Sequence, residues 1–314
     1  MASSFLKLYY YQYETDFVLS PQHKGHPIPL LLEPPVDIVA VEEPGSADFL
    51  VFPYDITPFQ CYAGFDNTLK FLKTLPLLGS KPERSVYYAH HDDCRPFSEP
   101  FTLFKASVSR NLPDRHIIPV PFPVEDFSDC LTFQPEEIHY MTSFVGYPGS
   151  SQLRSKLLCS VAAEKRLRMQ LHITPQFHGH LSPEEMLENR ERYVVSLRSS
   201  LTVLCPRGTG LNSVRFYETL AMGRIPILIG DECSLPAEDI IPYHYVMLRI
   251  PERMVDQAGE MIFDWLASKT PEQLIQRCVL ARKIWETYFS ISGTAKFMAK
   301  ELYKIHRALE SEQQ

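Results

Sequence analysis

Leu201-Thr-Val-Leu-Cys-Pro-Arg-Gly-Thr-Gly-Leu-Asn-Ser-Val-Arg-Phe-Tyr-Glu-Thr-Leu-Ala-Met-Gly-Arg-Ile-Pro-Ile-Leu-Ile-Gly-Asp231 reads as one strand–loop–helix–strand unit. Leu201 to Leu204 is a short apolar run, and Cys205-Pro206-Arg207-Gly208-Thr209-Gly210 ends it with residues that favour irregular backbone. Ser213 is placed to cap the next helix, Phe216 and Leu220 share one of its faces, and Gly223 suits its C-terminal end. Ile225 to Ile229 then supplies the next parallel strand. Units of this kind build open α/β sheets, in which ligands bind outside the carboxyl ends of the strands. Helix N-termini at that edge offer free N–H groups to anions.

The predicted geometry puts Arg207 in the loop and Arg215 in the first helical turn, both near where a phosphate would lie. Glu218 follows Arg215 by three residues on the same helix face. Two cations beside a helix N-terminus can hold a diphosphate, and a carboxylate one turn deeper can accept hydrogen bonds from ribose hydroxyls. On composition alone, a surface Arg–Glu pair on an ordinary βαβ helix is the competing reading.

The order of residues favours the first reading. Cys205-Pro206-Arg207-Gly208, then Ser213, Arg215 and Glu218, then Gly223, Pro226, Asp231 and Leu235-Pro236, resembles the signature of the exostosin-type glycosyltransferases. Fainter matches extend the likeness to about residues 47–250. Ala47-Asp48-Phe49-Leu50-Val51-Phe52-Pro53 resembles an early strand of that family; Phe144, Gly146 and Arg154 resemble another of its segments; Tyr193, Leu197 and Ser200 resemble the approach to the Cys-Pro-Arg-Gly loop.

The resemblance implies a GT-B-like α/β fold, two Rossmann-like doubly wound lobes facing a cleft. It also implies an inverting transferase that moves a sugar from a nucleotide-sugar, most often linked to uridine diphosphate, to a saccharide or glycan acceptor. Arg207, Gly208, Ser213, Arg215, Glu218 and Arg154 are the donor-binding candidates. Donor choice is expected to depend on loops such as Gly146–Ser151 and Gln176–His180.

At 314 residues with 45% hydrophobic side chains, the chain can bury two cores. Residues 1–138 are expected to form an acceptor-side lobe and 139–285 the nucleotide-sugar lobe. Residues 286–314 are expected to form a terminal helix that packs back on the first lobe. A net charge of −7 leaves no global basic field for nucleic acid or an anionic membrane. The seven cysteines are spread singly, without a CxxC pair, and read as reduced thiols. Met1 to Tyr13 is too short and polar for a signal peptide or a membrane span. Cytoplasmic residence is therefore expected, the alternative being a secretory-pathway luminal domain whose anchor is removed.

Along the first lobe, strands are expected at Asp48–Pro53, Ser85–His91 and Arg115–Pro123, with a helix around Asn67–Leu75. In the second, strands at Tyr140–Gly146, Leu167–Ile173 and Tyr243–Ile250 join the central unit, with helices over Ser151–Lys165 and Pro183–Ser199.

Glycosyl transfer by inversion needs one general base at the acceptor hydroxyl and stabilisation of the departing diphosphate. His90-His91-Asp92-Asp93, at a strand end in the first lobe, supplies the base candidates Asp92, Asp93 and His91. A solvated turn with Asp92 or Asp93 capping a helix is the alternative, and Asp55 is a further candidate. His172, His178 and His180 fit no standard ligand spacing, and Asp92-Asp93 lacks the spacer of a metal-binding Asp-x-Asp triad, so neither metal nor cofactor is expected. Two other function classes remain open: a related nucleotide-sugar enzyme such as an epimerase, and an inactive glycan-binding relative.

Overall fold

The computed structural model describes residues 5–78, 81–93, 95, 99–111, 116–177 and 180–312. Six parallel strands form the sheet of a first unit: Leu6–Tyr10 (β1), Ile38–Ala40 (β2), Phe49–Asp55 (β3), Ser85–Ala89 (β4), Thr102–Lys105 (β5) and Ile117–Pro119 (β6). Their spatial order is β2-β1-β3-β4-β5-β6. A parallel sheet covered on both faces needs near-continuous apolar strands. Phe49 to Phe52 accordingly bury every side chain. Helices Pro29–Leu32 (α1), Thr57–Ala63 (α2) and Phe65–Thr74 (α3) flank it.

Strand β3 is irregular. Val51 pairs with Val86 but Asp55 pairs with Tyr88, so two extra residues of β3 are accommodated around Pro53, which has no N–H to give a ladder.

The second unit holds five parallel strands, Tyr140–Gly146 (β7), Met169–Ile173 (β8), Ser200–Pro206 (β9), Ile225–Ile229 (β10) and Leu248–Ile250 (β11), in the order β11-β10-β9-β7-β8. Helices Gln152–Ala163 (α4), Pro183–Arg198 (α5), Val214–Ala221 (α6), Ala258–Ala267 (α7) and Pro271–Ile284 (α8) accompany it. Helix α5 starts on a reciprocal cap between Ser182 and Glu185 with Pro183 in its first turn, and α8 repeats the device with Thr270, Gln273 and Pro271. Leu157, Leu204, Ile227 and Ile262 belong to one buried cluster that joins α4 and α7 to the sheet.

The two sheets share one winding. In each, the second strand lies to one side of the first and the third returns to the other side. The topological switch point therefore falls between β1 and β3 in the first sheet and between β7 and β9 in the second.

Unit limits are Met1–Phe122 with Tyr288–Gln314, and Pro123–Thr287. The final helix, Ile291–Glu312 (α9), belongs to the first unit. It buries Ala295, Met298, Ala299 and Leu302, and the Tyr303 hydroxyl donates to the Asp37 carbonyl at 2.9 Å. Residues 123–138, placed in the first lobe by the sequence reading, group with the second unit. Arginines of that unit hold them: Arg224 Nη1 donates to the Thr132 carbonyl at 2.8 Å, Arg282 pairs with Asp126 at 2.8 Å and Arg198 with Glu137 at 2.5 Å. Strands β2 and β5 were not anticipated; they have three and four residues, too few for a period to register. Among the described residues no helix is long and apolar enough to cross a membrane.

Candidate functional site

Strand β9 runs through Cys205 to Pro206, two residues past its expected end, because Pro206 lies at the carboxyl tip and the Arg207 N–H completes the ladder on the Ile229 carbonyl at 3.0 Å. Cys205 is fully buried, and desolvation pushes its thiol up to about 12, so it packs rather than reacts. Ser213 stands at the N-cap of α6, yet its side chain makes no capping bond. The Ser213 N–H donates to the Asn212 side-chain Oδ1 at 2.8 Å, and the Asn212 side-chain amide donates to the Tyr217 hydroxyl at 2.8 Å.

Gly146 ends β7 at the switch point with φ of 149°, and a Cβ there would stand 3.0 Å from Arg215 Nη2. That close approach lets Arg215 lie across the strand end. Its Nη2 donates to the Val145 carbonyl at 2.7 Å, and its guanidinium sits 4.4 Å from the Phe144 ring centroid and 5.7 Å from that of Tyr193. Nε and Nη1 of Arg215 are buried with no protein partner among the described residues. Arg154, in the first turn of α4, donates from Nε to the Arg207 carbonyl and from Nη1 to the Tyr147 carbonyl, each at 3.3 Å, and lies beside Gly208. Three arginines, Arg154, Arg207 and Arg215, thus gather at the carboxyl ends of β7 and β9.

Arg207 is closed on a carboxylate that the sequence reading did not single out. Its Nε and Nη2 reach Glu252 Oε1 and Oε2 at 2.7 and 3.0 Å, a two-point fork. Arg207 holds the Glu252 carboxyl below its usual range. No sequence signal links residues 45 apart in this way.

Glu218 is 9% exposed. Its partner is not Arg215, its neighbour on the helix face, but Arg190, whose Nη1 meets Oε1 at 2.6 Å, while the Tyr193 hydroxyl donates to Oε2 at 2.7 Å. Burial, and then the charge of Glu218, push the Tyr193 phenol well above its ordinary value. Arg190 was also missed; it continues to Glu125 at 2.8 Å.

In the first unit, Asp93 is clasped by Arg95: Oδ1 accepts from the Arg95 backbone N–H at 2.9 Å, and Oδ2 from Nε and Nη2 at 2.9 and 2.5 Å. Partial burial would raise its pKa, but the hydrogen bonds and charge of Arg95 outweigh it and hold Asp93 below its usual range. Asp92 is exposed and His91 half-buried, with the His91 pKa lowered by desolvation. In the second unit, His172 Nε2 lies 2.9 Å from Arg192 Nη1. His178 and Cys94 fall outside the described residues. Cys61, Cys130, Cys159, Cys205, Cys233 and Cys278 are free thiols. Among the described residues no group of three or more His, Cys, Asp or Glu could hold a metal ion.

The model of the exostosin GT47 domain matches residues 81–263, which contain β7, β9, α6 and every arginine of this cluster. The chain belongs to the exostosin GT47 family. Exostosin-1 of Drosophila melanogaster is 31% identical over 116 residues, 37% of this chain and 15% of that protein. The exostosin-1 homolog of Caenorhabditis elegans is 30% identical over 117 residues, 37% of this chain and 30% of its own length. The chain thus matches less than a third of either relative. A solved glycosyltransferase from Rickettsia africae superposes with a TM-score of 0.46 at 10% identity, over 86% of this chain and 85% of that one.

Proposed function

We propose that this GT47 protein is a nucleotide-sugar-dependent glycosyltransferase that transfers to a saccharide or glycan acceptor with inversion. Its donor is bound at the carboxyl edge of the second sheet. One observation carries the reading: Arg215 keeps two guanidinium nitrogens buried and unpartnered at the switch point between β7 and β9. Two buried guanidinium nitrogens without an acceptor, on a cation that has no carboxylate partner among the described residues, are costly, and a phosphate supplies charge and acceptors together. Arg215 lies in the first turn of α6, an end of the helix that favours an anion.

In this reading Arg215 and Arg154 neutralise the diphosphate as its bond to the sugar breaks, and Glu218, fixed by Arg190 and Tyr193, accepts from the ribose hydroxyls. Arg207 acts through Glu252 to hold the loop rather than by touching phosphate. The turn after β4 contributes the acceptor's base. A uridine diphosphate sugar, implied by the family resemblance, is the first donor to test.

The test is calorimetric titration of uridine diphosphate into the parent and Arg215→Met. Loss of a charged hydrogen bond of about 1.5–3 kcal/mol should weaken binding by roughly 10- to 150-fold. Because the substitution also removes an uncompensated buried charge, the unliganded protein should melt no lower than the parent. Equal affinity in both proteins would refute the assignment of Arg215.

A further inference from the structure

The end of β3 builds an arrangement that the donor site does not use. Asp55 is 2% exposed, and every side of it is held. Its N–H donates to the His26 carbonyl at 2.9 Å, and its Oδ1 accepts from the Thr57 N–H at 2.9 Å. A Cβ on Gly25 would fall 2.1 Å from the Asp55 carbonyl oxygen, so only glycine lets that segment lie against it. The remaining oxygen, Oδ2, is in direct contact with Nδ1 of His90, the first residue beyond β4. Thr57 ties the two together, its hydroxyl accepting the His90 N–H at 2.8 Å. The two extra residues in β3 bring Asp55 level with Tyr88, two residues before His90.

Nδ1 of His90 is buried against the Asp55 carboxylate, and neither Nδ1 nor Asp55 Oδ2 has another hydrogen-bond partner among the described residues; a proton on Nδ1 satisfies both atoms and leaves the lone pair on Nε2. The side chain is 30% exposed, and with Nδ1 buried that exposure falls on the edge that carries Nε2. His91 has the opposite polarity: its Nδ1 accepts the Asp93 N–H at 2.9 Å, which puts the proton on its outer nitrogen. Asp93 is spent on Arg95. Compared with His91 and Asp93, His90 is the group that presents a lone pair outward with a carboxylate behind it, the relation found between base and orienting acid in acyl-transfer triads.

We propose that His90 is the proton acceptor for the attacking hydroxyl and that Asp55 is its positioning residue. This rests on the glycosyl-transfer reading above. The acceptor oxygen forms a bond to the anomeric carbon while the bond from that carbon to the diphosphate oxygen breaks. The electron pair leaves with the diphosphate, and the hydroxyl proton passes to Nε2 of His90. The resulting imidazolium is stabilised by the Asp55 carboxylate, which keeps its charge.

The experiment measures sugar transfer from uridine diphosphate sugars to a panel of saccharides, with uridine diphosphate affinity measured alongside. In His90→Gln, kcat should fall by about 10²- to 10⁴-fold while donor KM and uridine diphosphate affinity stay within about threefold. Asp55→Asn should lose turnover of a similar order, because an amide favours the other tautomer. Imidazole should restore part of the turnover of His90→Gly, a readout that a packing role would not move. Since Asp55→Asn endangers folding, long-range ¹H–¹⁵N spectra of the histidine-labelled parent give an independent check, and His90 should appear as the Nδ1–H form. A His90→Gln protein that transfers within about threefold of the parent, or a parent spectrum with the proton on Nε2, overturns this assignment while the donor site stands. A parent that neither binds uridine diphosphate nor transfers sugar overturns both.

Discussion

At the scale of single residues, the second unit's site is a set of charges sorted by what already satisfies them. Arg207 has a full carboxylate partner and Arg215 has one carbonyl, although the sequence reading put both, one in the loop and one in the first helical turn, near a phosphate. The Arg207–Glu252 fork has a testable pH signature. Glu252 titrates below the ordinary glutamate range in the fold, so the unfolded chain takes up its proton first as pH falls. The pair's contribution to stability is therefore complete above that range and disappears on passing down through the lower, folded value. Urea unfolding of the parent and Glu252→Gln should differ most near about pH 6, and the two midpoints should converge as the pH drops below about 4. A gap that widens on acidification would show that the fork is not the source.

Between elements, the buried Arg224 is one of the ties that hold residues 123–138 to the second unit. It is 0% exposed and has no carboxylate partner among the described residues. Its guanidinium instead serves the carbonyls of Thr132, Gly223 and Arg198. Arg224→Leu should destabilise the protein by about 2–4 kcal/mol, since three carbonyls, two of them in buried bonds, lose their donor. Limited proteolysis should then cut first within 123–138; resistance there equal to the parent's would contradict the tie. This also explains what the sequence could disclose. Strands β7, β9 and β10 were legible as apolar runs, although β9 was read as ending at Leu204 and runs on to Pro206, and α5 was read over Pro183–Ser199. The site's second layer was not: Arg190, Glu252 and Asn212 matter through partners that only the folded chain brings near. Ser213 shows the limit of local rules, holding the N-cap position while its side chain makes no capping bond.

In the whole molecule, the two sheets are wound in the same order, with the arginine cluster and its neighbours within Pro123–Thr287 and the Asp55–His90 pair in the other unit. Removing α9 should therefore lower the thermal transition of the first unit, as Met298 and Leu302 lose their burial, yet uridine diphosphate affinity should stay within about threefold. A larger loss of affinity would mean that donor binding draws on the first unit. The first unit is also interrupted, its closing helix encoded after the whole of the second. On the ribosome, Pro123–Thr287 emerges as a complete unit and can collapse during synthesis, whereas the earlier-made sheet must wait for Ile291–Glu312. Of the two units, the one whose sheet is translated first thus matures last, and a nascent chain stalled before α9 would carry a finished second unit and an unfinished first sheet.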